Sequence, residues 1–242
     1  MKTALVTGSS RGIGRAVALR LASDGFRVIV HGSKPSEKLS ETLSLIREAG
    51  GTAEAVTADL RDLVQTQTIH AQAGDVDVLV LNASLQIKRP WEQITPENAA
   101  DQLNCNFVSS LLLAQAFVPH MREAGWGRIV AVGSVQEKKP HPDMLVYSAS
   151  KAAQTNMIQS LSLQLAPCGI TVNSVAPGVI YTDRNVEALS DPVYAAKVAS
   201  LIPAGFWGKP EDCAGIVSLL CSEEGRYITG QSIYVDGGKS VQ

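Results

Sequence analysis

Seven short runs rich in Val, Ile, Leu and Ala, separated in most cases by stretches of helical periodicity, constrain this chain more than any other feature. The runs are TALVT (3–7), RVIVHG (27–32), AEAVTA (53–58), VDVLVL (76–81), RIVAVG (128–133), ITVNSVA (170–176) and SIYVDGG (232–238). Several are almost continuously apolar, as strands covered on both faces of a parallel sheet must be. Amphipathic stretches lie near 12–24, 36–49, 61–72, 97–122, 145–166 and 210–222. The β-α-β-α order from end to end predicts an α/β architecture, a doubly wound seven-stranded parallel sheet with helices on both faces and right-handed crossovers.

No linker, repeat or low-complexity tract divides the chain, so residues 1–242 are expected to form one domain. The only long insertion is roughly 178–209, after the sixth strand, where it can cover a substrate bound at the carboxyl ends of the strands. The 21 basic residues are balanced by 23 acidic ones with no block of like charge, which argues against a nucleic-acid partner. Cys105, Cys168, Cys213 and Cys221 are scattered, so neither a disulfide framework nor a metal site is expected. The N-terminal apolar run breaks into glycines too early for a signal sequence, and no segment approaches the ~20 apolar residues needed to span a bilayer. A cytoplasmic setting follows as the default expectation.

The first strand runs into TGSSRGIG, Thr7 to Gly14, and a helix opens behind it. Gly8, Gly12 and Gly14 let backbone approach a pyrophosphate, and the free N–H groups at a helix start favour an anion. Three glycines also suit a tight strand-to-helix corner, but their place in a βαβ unit favours a nucleotide.

YSASK, 147–151, sets Tyr147 four residues ahead of Lys151, on one face if the stretch is helical. A free phenol, with its pKa near 10, is a poor acid at neutral pH and almost never a base. A nearby cation favours the phenolate; bringing a phenol to ~7 requires about 4 kcal/mol, more than one partly screened charge supplies. A second cation is needed.

These features together resemble the short-chain dehydrogenase/reductase family over nearly the whole chain, Thr3 to about Gly238. The motifs that carry the resemblance are T-G-x-x-x-G-x-G at Thr7–Gly14, Asn82-Ala83-Ser84 after the fourth strand, and Asn106 in NCNFVSS. Ser134 stands thirteen residues before Tyr147, and Pro177-Gly178 follows the sixth strand. The resemblance implies a Rossmann fold and an oxidoreductase that transfers a hydride between a nicotinamide cofactor and a carbonyl or secondary alcohol of a small substrate. It implies Tyr147 as general acid or base, Ser134 as hydrogen-bond donor to the reacting oxygen, and Lys151 as the group that contacts the nicotinamide ribose and tunes Tyr147. Asn106 would hold a water path to Lys151; an Asn that kinks the helix or bonds backbone is the alternative. The cofactor is expected against Gly8, Ser10, Arg11, Gly12, Ile13, Gly14, Gly32, Ser33, Asp59, Leu60, Asn82, Ala83, Ser84, Tyr147, Lys151, Pro177, Gly178, Ile180 and Thr182. A homotetramer through the long fourth and fifth helices and the C-terminal strand is also implied.

The second strand ends at Gly32, where an enzyme preferring NAD usually carries an acid, and no acid appears before Glu37. Arg11, with Ser33 and Lys34, can instead hold a 2′-phosphate, so NADP(H) is expected over NAD(H). The sequence departs from the family where N-N-A-G becomes LNAS: Ser84 stands at the usual glycine and can recontact the cofactor ribose. Cys168 and Gly125 stand where carrier-protein reductases often have Arg, which disfavours a 3-oxoacyl reductase against a sugar or polyol dehydrogenase or another small-carbonyl reductase. Gln86, Gln136, Met144 and Phe206 are candidate substrate contacts, while Lys88, Arg89, Lys138 and Lys139 form either a basic rim or an ordinary solvated surface. His141 receives no role. A nucleotide-binding regulator without chemistry is disfavoured by the intact Ser134, Tyr147, Lys151 and Asn106.

Overall fold

The strands alternate their side chains between two cores. Leu5, Ile29, Leu79 and Ile129 point into one, and their neighbours Val6, Val30, Val80 and Val130 point into the other. All are essentially inaccessible to water, and this two-sided burial is what fixes the sheet as the middle layer. In the computed structural model, which describes residues 1–242 except the side chains of Glu187 and Ala188, the strands are β1 (Thr3–Val6), β2 (Arg27–Gly32), β3 (Ala53–Thr57), β4 (Val78–Leu81), β5 (Gly127–Val132), β6 (Ile170–Pro177) and β7 (Ser232–Val235). They form one parallel sheet in the order β3-β2-β1-β4-β5-β6-β7.

Helices α1 (Gly12–Ser23), α2 (Glu37–Glu48) and α9 (Pro210–Cys221) cover one face. Helices α3 (Leu63–Ala73), α5 (Ser109–Ala124) and α6 (Leu145–Leu165) cover the other. Local signals set their ends. Ser36 accepts from the Leu39 amide to cap α2, and Asp62 accepts from the Val64 and Gln65 amides to cap α3. Gly125, in the left-handed region, stops α5. No side chain caps α1, which leaves its first amides available at the sheet's carboxyl end.

The stretch expected as one helix over 97–122 is instead α4 (Pro96–Leu103), a π turn (Asn104–Val108) and α5. Strand order reverses between β1 and β4, and such a switch point is where a doubly wound sheet opens a crevice. The segment after β6 starts from a parallel bridge between Ile180 and Gly208 and carries α7 (Val186–Leu189) and α8 (Pro192–Ser200) between those two residues. Among the described residues no helix is long and apolar enough to cross a membrane.

Candidate active site

At the switch point the loops after β1 and β4 are tied together. The Thr7 hydroxyl accepts from the Asn82 and Ala83 amides at 2.9 and 3.0 Å, and the Asn82 Nδ2 donates back to the Thr7 and Gly8 carbonyls at 2.8 and 3.1 Å. The approach leaves no room for side chains. A Cβ on Gly14 would lie 2.4 Å from both Asn82 Nδ2 and the Gly8 carbonyl oxygen, and one on Gly8 would lie 2.9 Å from Ala83 Cα, with φ at +63° besides. The glycines therefore make a bare turn at an uncapped helix start, a cradle that fits a dinucleotide pyrophosphate.

A cleft of about 860 Å³ opens from this turn. Of the nineteen positions expected against the cofactor, all line it except Lys151. Ser134, Tyr147, Gln86, Gln136 and Met144 line it as well. Phe206 does not. Ala204 N bonds the Gly237 carbonyl and Gly205 turns with φ at +79°, so the Phe206 ring is carried outward and is 63% exposed.

Ser134 begins a single 3-10 turn after β5 and its Oγ accepts from the Gln136 amide at 3.2 Å. Gln136 in turn accepts from the Ser148 hydroxyl at 2.9 Å and places its Nε2 3.1 Å from the Met144 sulfur. Glu137 anchors the turn: its carboxylate accepts from Thr155 and Ser232 at 2.6 Å each and from the Tyr234 hydroxyl at 3.0 Å. Burial and this carboxylate push the Tyr234 phenol up to about 12.

Lys151 lies one helical turn beyond Tyr147 on α6, with its Nζ 6.0 Å from the Tyr147 ring centroid. It is 1% exposed. The ammonium donates to the Val132 carbonyl at 2.7 Å and the Gln154 Oε1 at 3.0 Å, neutral acceptors both. Burial, reinforced by the charge of Arg184, lowers its pKa to about 8, so it remains largely cationic at neutral pH.

Asn106 is brought beside this group, but its side chain is committed elsewhere. Its Oδ1 accepts from the Leu85 amide at 2.7 Å, and its Nδ2 donates to the Leu85 carbonyl and the Ser150 hydroxyl at 2.9 Å each. The backbone-bonding role weighed from the sequence is the one its side chain plays. The group that meets Lys151 is Gln154, whose Nε2 continues to the Ser110 hydroxyl at 2.9 Å; Ser110 donates to the Asn106 carbonyl at 3.3 Å.

The model of the short chain dehydrogenases matches residues 2–192. This chain belongs to that family. The oxidoreductase activity that the family carries goes with it. Among its relatives, an L-rhamnose 1-dehydrogenase (NAD(P)(+)) of Azotobacter vinelandii is 39% identical over 99% of this chain and 97% of its own. A glucose 1-dehydrogenase of Gluconobacter oxydans is 37% identical over 99% of this chain and 92% of its own. Among solved structures, a 3-oxoacyl (acyl-carrier-protein) reductase from Agrobacterium tumefaciens with NADP bound superposes with a TM-score of 0.94 at 38% identity, covering 98% of this chain and 93% of that one.

This short chain dehydrogenase also uses residues that its sequence did not single out. His31, buried at the end of β2, accepts from the Gly8 amide on Nδ1 at 3.0 Å and donates from Nε2 to the Ala58 carbonyl at 3.1 Å. That pattern requires a neutral ring, and burial holds its pKa down at about 4. Lys38 and Arg11 converge on the Asp183 carboxylate, and Lys38's hydrogen bond keeps that acid below the usual carboxylate range. Lys34, the cation expected there, is not part of this cluster. The next residue, Arg184, turns to the loop after β4 and donates to the Ser84 carbonyl at 3.1 Å, the Ser84 Oγ at 3.2 Å and the Gln86 Oε1 at 3.4 Å.

Proposed function

We propose that the chain interconverts a secondary alcohol and a carbonyl on a small polyhydroxylated substrate, using NADP(H) in preference to NAD(H). The observation that carries the reading is the buried Lys151 ammonium behind Tyr147, which lines a cleft that begins at the glycine turn. The cofactor, when bound, supplies or accepts the hydride. Tyr147 gives its proton to the carbonyl oxygen, or takes one from the alcohol, and Ser134 donates a hydrogen bond to the same oxygen. Lys151 supplies the fixed positive charge that favours a phenolate over a phenol, and Gln154 holds that ammonium. Two of the three ammonium donors are engaged, by the Val132 carbonyl and by Gln154, which leaves the third for a ribose hydroxyl.

Preference for NADP(H) is supported by the lack of an acid at Gly32 and by Arg11 and Lys38, which already share one anion. The sugar reading is supported by the rhamnose and glucose dehydrogenases among the relatives. Leu189, Tyr194, Val198 and Leu201 of the segment after β6 line the cleft, the position of a lid over the substrate. A cytoplasmic homotetramer completes the reading, and light scattering on the eluted protein distinguishes it from a dimer.

The test is a panel of sugars, polyols, ketones and aldehydes assayed with each of NADPH, NADP⁺, NADH and NAD⁺ at the nicotinamide absorbance band. Turnover with the Tyr147→Phe variant should fall ~10²–10⁴-fold while cofactor affinity and circular dichroism stay unchanged. A variant retaining more than about a tenth of the parent rate removes the proton-transfer role, and equal or better efficiency with NADH removes the cofactor preference.

A further inference from the structure

Among the described residues the cleft has two acidic side chains, Asp59 and Asp183, and both are already paired, Asp59 with Arg61 at 2.6 Å and Asp183 with Arg11 and Lys38. The lining also carries the cations Lys88, Lys139, Arg184 and Lys239. Lys88 is 3.8 Å from Asp143, and Lys139 donates to the Lys239 carbonyl at 3.1 Å.

Arg184 is different from these. Its guanidinium touches only neutral acceptors, on Ser84 and Gln86, and among the described residues no carboxylate pairs with it. Its charge is nonetheless felt by Lys151, whose proton affinity it lowers, so the two cations lie within electrostatic reach of one another. Lys151 is likewise bonded only to neutral oxygens. Two like charges repel, and an anion placed near both relieves them. Ser84 explains why the guanidinium sits there. Its hydroxyl, which a glycine lacks, is one of the three acceptors that hold Arg184 against the β4 loop. Two acceptors on one loop residue fix the guanidinium plane while leaving further N–H donors on it, since Arg has five in a planar fork.

We propose that Arg184 is the anchor of a carboxylate subsite, and that the substrates of this enzyme are hydroxy acids and the corresponding oxo acids, the carboxylate held by Arg184 while the alcohol or carbonyl carbon is delivered to Ser134 and Tyr147. This deepens the reading given above and rests on it. The fork of a guanidinium matches the two oxygens of a carboxylate, which a surface lysine does not. Lys88 and Lys139 add a field that draws anions to the mouth of the cleft.

The test uses the full chain saturated with NADP⁺ and a set of C3 to C6 hydroxy acids (lactate, malate, tartrate and gluconate), each beside its neutral amide or reduced polyol. Binding is read by titration calorimetry and turnover by nicotinamide absorbance. At least one acid should bind better than its neutral partner. Arg184→Gln should weaken that acid about 10- to 100-fold, leave the neutral partner's binding and the NADP⁺ affinity unchanged, and raise KM more than it lowers kcat. Arg184→Lys should recover part of the loss, and Ser84→Gly should cost less than Arg184→Gln. The proposal is overturned if every acid and its neutral partner bind alike, or if Arg184→Gln weakens NADP⁺ instead, which would assign the guanidinium to the cofactor phosphates. Turnover of neutral alcohols with no advantage for any acid sinks the subsite and leaves the oxidoreductase reading standing. Absence of turnover on the whole panel of alcohols and ketones, with either cofactor, would sink that reading too.

Discussion

Two buried nitrogen bases stand beside the cleft, His31 under the glycine turn and Lys151 behind Tyr147, and burial lowers the proton affinity of both. His31 falls from 6.5 to about 4 and Lys151 from 10.5 to about 8. The shifts are similar but the starting points are not, so at neutral pH the imidazole is neutral and the ammonium keeps its charge. A neutral ring can accept from the Gly8 amide and shape a turn; a cation in the same place would lose that acceptor. A retained cation can bias a phenol, and a histidine in its place would not. Choice of residue type, under similar net shifts, makes one group structural and the other electrostatic.

The comparison breaks most readily at the charged group. Lys151→Met should lower turnover at least about 100-fold while a thermal melt still shows a single folded species, because the charge is the function and the fold survives its loss. Near-parent turnover by this variant would mean that Tyr147 needs no neighbouring cation from the chain.

At the neutral group the sign is opposite to the usual His pair. The folded-state pKa of His31 lies below its unfolded value, so the unfolded chain takes up the proton first as pH falls. The stability that His31 gives is fully present above about 6.5, is lost progressively toward pH 4, and changes no further below it. Urea unfolding should show the parent losing about 3 kcal/mol more across that window than His31→Asn, whose side chain cannot titrate. Parallel curves would mean that the ring is already charged or accessible.

The smallest effect concerns the exposed ion cluster. Asp183 is about half exposed and screened by water, so the Arg11 and Lys38 contacts are cheap to exchange. Asp183→Asn frees both cations, and NADP⁺ should bind about two- to fivefold more tightly with little change for NAD⁺. Equal tightening of both cofactors would place the pair away from the 2′-phosphate.

Strands, the glycine turn and the Tyr147–Lys151 face were legible because they depend on local period and on backbone space, and both are written in consecutive residues. The helix over 97–122 was legible as a helix but not as one with a π turn, since one inserted residue leaves the apolar pattern almost unchanged. Gln154 could have been found: it lies three residues past Lys151 on the same face, a buried polar group that needs a buried partner. Lys38 lies four residues past Lys34, in the first turn of α2, and was hidden by the nearer lysine. Arg184 and Asp183 had no signal at all. They lie in an irregular segment, and the partners they reach lie about a hundred and more residues away in the chain. The outward turn of Phe206 was hidden for a related reason, because nothing nearby in sequence announces the bond from Ala204 to Gly237.

The side chains of Gln102 and Asn106, four residues apart across the start of the π turn, accept from the Ile87 and Leu85 amides at 2.9 and 2.7 Å. Amides two residues apart that point to one side are the habit of an extended strand beside its neighbour. Here the neighbour is a helix, and the rungs are two side-chain carboxamides. The stretch after β4 therefore behaves as an eighth strand whose ladder is borrowed. Alternation along it sends the Leu85 peptide to the helix and the Ser84 carbonyl the other way, to Arg184. Deleting one residue from the π turn would shift Asn106 relative to Gln102 by a helical step of about 100°, remove a rung, and let that edge slip.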